Sequence, residues 1–266
     1  MSATKIVSWN VNGLRAVDRK DALQPCIDRL SPDILCLQEI RCDAKQAAAI
    51  FAKFKGTFPY VYANPCTTKK GYSGTAILSK RPANSVRVDF EGVLPFESEG
   101  RVQLADFGDF SLLNCYTPNS GTERHTDRVT EWDPGFAAVV STAAQNGPLV
   151  LVGDLNVAHQ DIDVCSPKTL QQSAGFTPAE RHNFASLLMG HCRLLDTFRC
   201  FHGDGATSRY SWWSNLGGCR ARNRGWRIDY VLTDDRVMVE ESDIASDVMG
   251  SDHAPVYATF KPLAQA

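Results

Sequence analysis

Glu39, Asp154, Asn156, Asp229, Asp252 and His253 are the residues whose types and settings could do chemistry. A carboxylate such as Asp154 can take a proton from water. Asn156, two residues on, can orient that water or an oxyanion. Glu39 offers the oxygen ligands that Mg²⁺ accepts alongside water and phosphate. Asp229 lies inside an apolar run, where an unpaired charge is costly. His253 is a candidate partner. A carboxylate bonded to one imidazole nitrogen fixes the tautomer and raises the ring pKa, leaving the other nitrogen for a phosphate oxygen. Each residue also has an ordinary reading. Glu39 could cap a helix or pair at the surface. Asp-x-Asn is a common turn. An Asp–His pair can simply tie two strands together.

Stretches 5–12, 33–39, 149–156 and 226–232 are short apolar runs that read as buried strands, and Ser251-Asp252-His253-Ala254-Pro255 enters a fifth. Side chains at i and i+2 share a strand face. Asn10 and Asn12 are therefore expected to project together, as are Asp154 and Asn156, and Glu39 is placed on the face of Leu35 and Leu37. Such strand ends imply one site at one rim of a sheet assembly. Helical stripes alternate with the strands: Leu23, Cys26, Ile27 and Leu30; then Phe136, Val139, Val140 and Ala143, stopped at Asn146-Gly147-Pro148. Thr177-Pro178-Ala179-Glu180 reads as a capping box that starts another helix. The class is α/β. One strand ends Asn-x-Asn and another Asp-x-Asn, a hint of two similar halves facing one site.

The 266 residues are 43% hydrophobic and 22% charged, enough for one large core. No run nears the ~18 apolar residues of a membrane span. The start, Met1-Ser2-Ala3-Thr4-Lys5, leads directly into the first strand, so no signal peptide is expected. Nine cysteines without a Cys-x-x-Cys pair favour free thiols and an intracellular setting over zinc or disulfides. A net charge of −2 argues mildly against nucleic acid. The distribution argues back: Arg220, Arg222, Arg224 and Arg227 fall in a stretch without acids, and Lys69-Lys70 precede a glycine loop. Both adjoin the candidate site, so phosphate contact is preferred to a solvated face. Aromatics at Tyr210-Ser211-Trp212-Trp213 and Trp226 are core residues or walls of a nucleotide pocket.

In order along the chain, eight motifs resemble those of the exonuclease III family of apurinic/apyrimidinic endonucleases. They are Ser8-Trp9-Asn10-Val11-Asn12-Gly13-Leu14-Arg15, Leu37-Gln38-Glu39, Gly71-Tyr72-Ser73-Gly74, Tyr116-Thr117-Pro118-Asn119, Gly153-Asp154-Leu155-Asn156, Gly175-Phe176-Thr177-Pro178-Ala179-Glu180-Arg181, Gly225-Trp226-Arg227-Ile228-Asp229-Tyr230 and Ser251-Asp252-His253-Ala254-Pro255. The resemblance spans nearly the whole chain. It implies one catalytic domain over residues 1–266 and a four-layer α/β sandwich, two packed mixed β-sheets flanked by helices. It implies that Glu39 binds the metal with Asn10 or Asn12, and that Asp154 is the general base with Asn156 positioning water or phosphate. His253 paired to Asp229 would stabilise phosphate oxygens. Asp252 would support a metal or the leaving group, and Tyr116 would contact the phosphate. Asn119 would sit near the sugar. Lys70, Tyr72, Arg181 and Arg222 would meet backbone phosphates. Trp212, Trp226 and Ile228 would wall a pocket for an extrahelical abasic sugar.

Departures from the family pattern carry expectations too. Asn12 stands where some members have Asp. Trp132-Asp133-Pro134-Gly135 predicts a kink or two segments in a usually continuous helix. Residues 168–173 replace an asparagine-rich loop. The expected function is a Mg²⁺-dependent repair phosphodiesterase, for which Mn²⁺ can substitute. It would cut duplex DNA 5′ to abasic sites as a monomer, and 3′–5′ exonuclease and 3′-phosphodiesterase activity are allowed. Rivals are deoxyuridine nicking or mainly exonuclease action on the same fold, a non-catalytic DNA-binding protein, and a lipid or inositol phosphatase.

Overall fold

The computed structural model describes residues 3–261. Its strands are β1 Thr4–Asn10, β2 Ile34–Gln38, β3 Tyr60–Asn64, β4 Thr75–Ser79, β5 Ser85–Arg87, β6 Val102–Asp106 and β7 Ser111–Tyr116, followed by β8 Leu149–Asp154, β9 Leu195–Asp196, β10 Trp212–Trp213, β11 Gly225–Trp226, β12 Asp229–Thr233, β13 Val239–Ile244 and β14 Val256–Phe260. One sheet runs β13-β14-β1-β2-β4-β3 and the other β5-β6-β7-β8-β12-β9. The parallel pairs are β1/β2 and β7/β8, and the other pairings are antiparallel. Read from the same end, the two orders carry the same pairings, β13-β14-β1-β2-β4-β3 against β5-β6-β7-β8-β12-β9, each with one parallel pair at its centre. This repeat sets β1 against β7 and β2 against β8, so the Asn-x-Asn and Asp-x-Asn strand ends are similar turns at non-equivalent positions.

Alternation along the strands builds four layers. Ile6, Ile34 and Cys36 face the second sheet and meet Leu112, Val150 and Val152. Val7, Leu35 and Leu37 face outward onto the helix Leu23–Leu30, whose Leu23, Cys26, Ile27 and Leu30 are buried there. On the far side, Leu113 and Leu151 pack under Phe136, Val140 and Ala143 of the helix Asp133–Gln145. The layers are helix, sheet, sheet, helix. Gly153 shows how closely β7 and β8 approach beside the site: a Cβ there would lie 1.8 Å from the Cys115 carbonyl oxygen.

Two expectations change in detail. The 226–232 run is two strands: Trp226 pairs with Trp212 in a ribbon, and β12 starts at Asp229. The break expected at 132–135 is a π-helical turn over Arg128–Trp132 that passes into an α-helix at Asp133. Asp133 and Pro134 therefore continue a helical path rather than open one. The Thr177 capping box with Pro178 at the first position is present. All nine cysteines are free thiols. Among the described residues no helix is long and apolar enough to cross a membrane.

Candidate active site

Sheet register alone brings three candidates side by side. Asp154, the last residue of β8, pairs with Tyr116 on one flank and Asp229 on the other. Across the gap between sheets, Asn10 ends β1 opposite Gln38. Asn10 Nδ2 donates to Asp154 Oδ2 at 2.8 Å and to Glu39 Oε1 at 2.9 Å. One carboxamide thus holds a carboxylate from each half.

The strand ends turn by a shared device. Asn12 N–H donates to Asn10 Oδ1 and Asn156 N–H to Asp154 Oδ1, both at 2.9 Å. Asn12 and Asn156 sit at φ 45° and 47°, and Glu39 at 52°. This left-handed region lies outside strand geometry. Strand parity is therefore the wrong rule for these three. Glu39 does not follow Leu35 and Leu37 outward; its carboxylate reaches Asn10, on the opposite face. Asn12 does not join Asn10 but donates to Asp252 Oδ1 at 2.8 Å.

His253 Nδ1 lies 2.9 Å from Asp229 Oδ2, and Nε2 lies 3.9 Å from Asp154 Oδ2. Burial alone would pull the imidazole pKa down. The Asp229 charge and hydrogen bond outweigh it and hold the value at about 10. The pairing with Asp229 favours the protonated ring. Burial raises Asp154, the Asp229 charge raises it further, and it reaches about 7 despite His253. Burial, then the Glu39 charge, push the Tyr116 hydroxyl well above the phenol range. Tyr116 is a neutral hydrogen-bond donor at working pH.

Glu39, Asp154 and His253 offer atoms within 4.8 Å of one another. His253 commits Nδ1 to Asp229, and the two carboxylates supply the oxygen ligands of the group. An all-oxygen set fits a hard divalent ion. Asn10 leaves the ligand set as arranged: its oxygen accepts from Asn12 and its NH₂ faces the carboxylates. Asp252 stands apart, holding Asn12, Ser251, Trp212 and Asn215. Asn156 donates to Thr117 O at 2.9 Å and accepts from Asn119 at 3.2 Å. It secures Asp154 rather than presenting a spare donor.

A cavity of about 340 Å³ opens over these groups. Glu39, Tyr116, Asp154, Asn156 and His253 form its floor; Asn12, Asn119 and Asp252 also line it. Trp212, Trp226 and Ile228 make one wall, and Ser173, Ala174 and Gly175 another. The two indoles meet edge to face at 6.2 Å between centroids. From the 168–173 stretch, Ser173 is the residue that lines the cavity.

The outer contacts divide. Lys70 and Arg222 are exposed, outside the cavity. The Tyr72 hydroxyl already accepts from Arg101 and Arg124, at 2.9 and 3.3 Å. Arg181 binds His159 O, pairs with Asp161 and lies over Phe176. The arginine run is not one surface. Arg227 is buried, paired with Asp163 and Asp196, and Arg220 donates to the carbonyls of Ser246, Val248 and Ser251. Neither faces a phosphate as arranged. The sequence reading missed Arg41, which lines the cavity and donates from Nε to Glu39 Oε2 at 2.7 Å. Its nearness to Glu39 in sequence was the available signal.

A family profile described as the endonuclease/exonuclease/phosphatase family matches residues 7–253. An exodeoxyribonuclease of Bacillus subtilis is 40% identical over 95% of this chain and 97% of its own. The crystal structure of an AP endonuclease from Leishmania major superposes with a TM-score of 0.83 at 30% identity, covering 98% of this chain and 88% of that one. A 3′ phosphatase from Neisseria, bound to a product DNA hairpin, gives a TM-score of 0.86 at 27% identity, with coverage of 98% and 100%.

Proposed function

The chain belongs to the endonuclease/exonuclease/phosphatase family as a hydrolase of the exonuclease III and AP endonuclease type, and from that premise we propose that it is a Mg²⁺-dependent phosphodiesterase that cuts duplex DNA 5′ to abasic sites. One observation carries the reading: Asp154 lies between the Asp229-paired imidazole of His253 and a carboxylate from the other half of the fold, Glu39, held to it through Asn10, at a cavity lined by two indoles.

Asp154 takes the proton of an attacking water as general base. Asn10 and Asn156 fix the direction of its lone pairs. His253 turns Nε2 toward the cavity and donates to a phosphate oxygen, offsetting charge as it develops. Asp229 keeps it charged. Tyr116 supplies a neutral hydroxyl toward the phosphate. A divalent cation on Glu39 and Asp154 would supply Lewis-acid stabilisation when bound. Trp212, Trp226 and Ile228 receive a sugar that needs no base unstacked. One chain carries every one of these groups, so a monomer suffices.

A second reading, 3′-end processing, draws on the small residues Ser173, Ala174 and Gly175 that line the cavity. One assay separates the readings. Duplexes carrying an abasic site, a deoxyuridine, a recessed 3′ end or a 3′-phosphate are incubated with Mg²⁺, Mn²⁺ or chelator. Incision at the abasic site that chelator abolishes is the expected result. Exclusive removal of 3′ groups replaces it with the second reading, and binding without turnover on every duplex sinks both.

A further inference from the structure

We propose that Glu180 is a positioning residue, a buried strut that sets the separation of the pocket walls carried by Asn119 and Gly175. The inference rests on the nuclease reading only for its choice of probe. Glu180 is fully buried. Its Oε1 accepts from Ser120 Oγ at 2.7 Å. Its Oε2 accepts from Gly175 N at 2.8 Å and from Thr177 Oγ1 and N at 2.7 and 3.2 Å. A capping-box glutamate needs only the N-cap contacts. This one reaches two further segments.

Both segments belong to the cavity. Ser120 follows Asn119, whose Nδ2 donates to Asn156 Oδ1. Gly175 packs against Asn156 so closely that a Cβ would lie 2.9 Å from its carbonyl oxygen and 3.7 Å from the Trp226 ring. The Gly175 carbonyl also accepts from Ala158 N at 2.8 Å. One carboxylate therefore fixes two loops that both contact Asn156. None of its hydrogen bonds goes to Asp154, Glu39 or His253. Loosening the strut should alter how DNA is seated and leave water activation in place.

Three variants test this. Ser120→Ala cuts one bond and leaves the helix cap whole. Glu180→Asp keeps the charge at the helix start but is one methylene too short to span both loops. Glu180→Gln keeps the reach, and the Ser120 hydroxyl can turn to accept its N–H. Two quantities are read: the Kd of a fluorescent duplex with an abasic analogue in chelator, and the KM-against-kcat split on whichever DNA the wild type cuts. Folded Ser120→Ala should raise Kd and KM about fivefold to tenfold, as for one lost buried hydrogen bond, with kcat within about twofold of wild type. Glu180→Asp should do more, and Glu180→Gln should recover most of the loss. If Glu180 only caps its helix, Ser120→Ala does nothing and Glu180→Asp lowers Tm with Kd unchanged. Unchanged Kd and KM in folded Ser120→Ala and Glu180→Asp overturn the strut. Wild type that spares the abasic site but trims a 3′ end rejects the abasic-site reading and leaves the strut to be decided on the 3′ end.

Discussion

The two halves of this molecule end their central strands with one backbone device and different side chains. In the first half Asn10-Val11-Asn12 closes β1; in the second Asp154-Leu155-Asn156 closes β8. Each turn has the same 2.9 Å side-chain bond and a left-handed third residue. The first half places a neutral amide at the turn and keeps its carboxylate on Glu39, beside Arg41. The second places the carboxylate in the turn itself, between Tyr116 and Asp229. The proposed metal-facing carboxylate and the proposed base thus come from different halves of the fold, beside turns built alike.

Making the second turn like the first should cost most. Asp154→Asn keeps the shape and removes the base, so kcat should fall by at least ~10²-fold with DNA binding kept. Binding that collapses while bound DNA still turns over would move the base elsewhere. On the metal-facing half, Asn10→Ala frees Glu39 and Asp154 from their shared holder. Loss of such an outer partner should weaken metal binding or activity about 10–100-fold, with partial rescue by excess Mg²⁺. Glu39→Gln should lose metal affinity outright. Equal Mn²⁺ titrations for wild type and Glu39→Gln would remove Glu39 from the ligands.

Trp226 tests the wall beside the second turn. Trp226→Ala removes an aromatic contact worth ~1–3 kcal/mol, about fivefold to 150-fold in kcat/KM on abasic DNA. Intact duplex should be less affected, so discrimination relaxes. An unchanged ratio between the substrates places the discriminating surface elsewhere.

Asp229 raises two partners at once, which gives a signed pH test. Activity needs Asp154 ionised and His253 protonated, so it should rise as pH passes about 7 and fall as pH passes about 10. A bound cation moves the acid limb lower, so profiles are compared at one Mg²⁺ concentration. In Asp229→Asn both groups lose the charge that raises them, and both limbs should shift to lower pH. If only the acid limb moves, His253 does not set the alkaline one.

Much of this was legible because strands and pairs leave periodic marks. The strand runs, the helical stripes and the Thr177 capping box follow from local pattern. Asp229 demanded a partner because it sat in an apolar run, and His253 is that partner. What failed did so where a local rule stopped applying. Parity misplaced Glu39 and Asn12 because the chain leaves the strand through a left-handed residue. Arg220 and Arg227 read as phosphate contacts because sequence shows charge but not which acids and carbonyls lie opposite. Arg41 was missed because an arginine past a strand end is ordinary until its neighbour is seen.

The smallest effects belong to the rim, where the two halves can again be compared. Lys69 and Lys70 lie on the loop between β3 and β4 of the first sheet; Arg222 and Arg224 lie between β10 and β11. Arg220 and Arg227 are held by carbonyls and acids, whereas Arg222, which also donates to the Gly217 carbonyl, and Arg224 are exposed and can answer to DNA. Each phosphate contact removed should flatten the slope of log K against log salt by about 0.9 on duplex DNA. The double variant Arg222→Ala/Arg224→Ala should therefore flatten it by up to about 1.8, and Lys69→Ala/Lys70→Ala by a similar amount. Fluorescence anisotropy over a salt series, in chelator to prevent cutting, measures both. An unchanged slope in the arginine variant beside a flattened one in the lysine variant would mean that DNA leans on the first half alone. The run at 220–227 would then be a structural strap along its whole length.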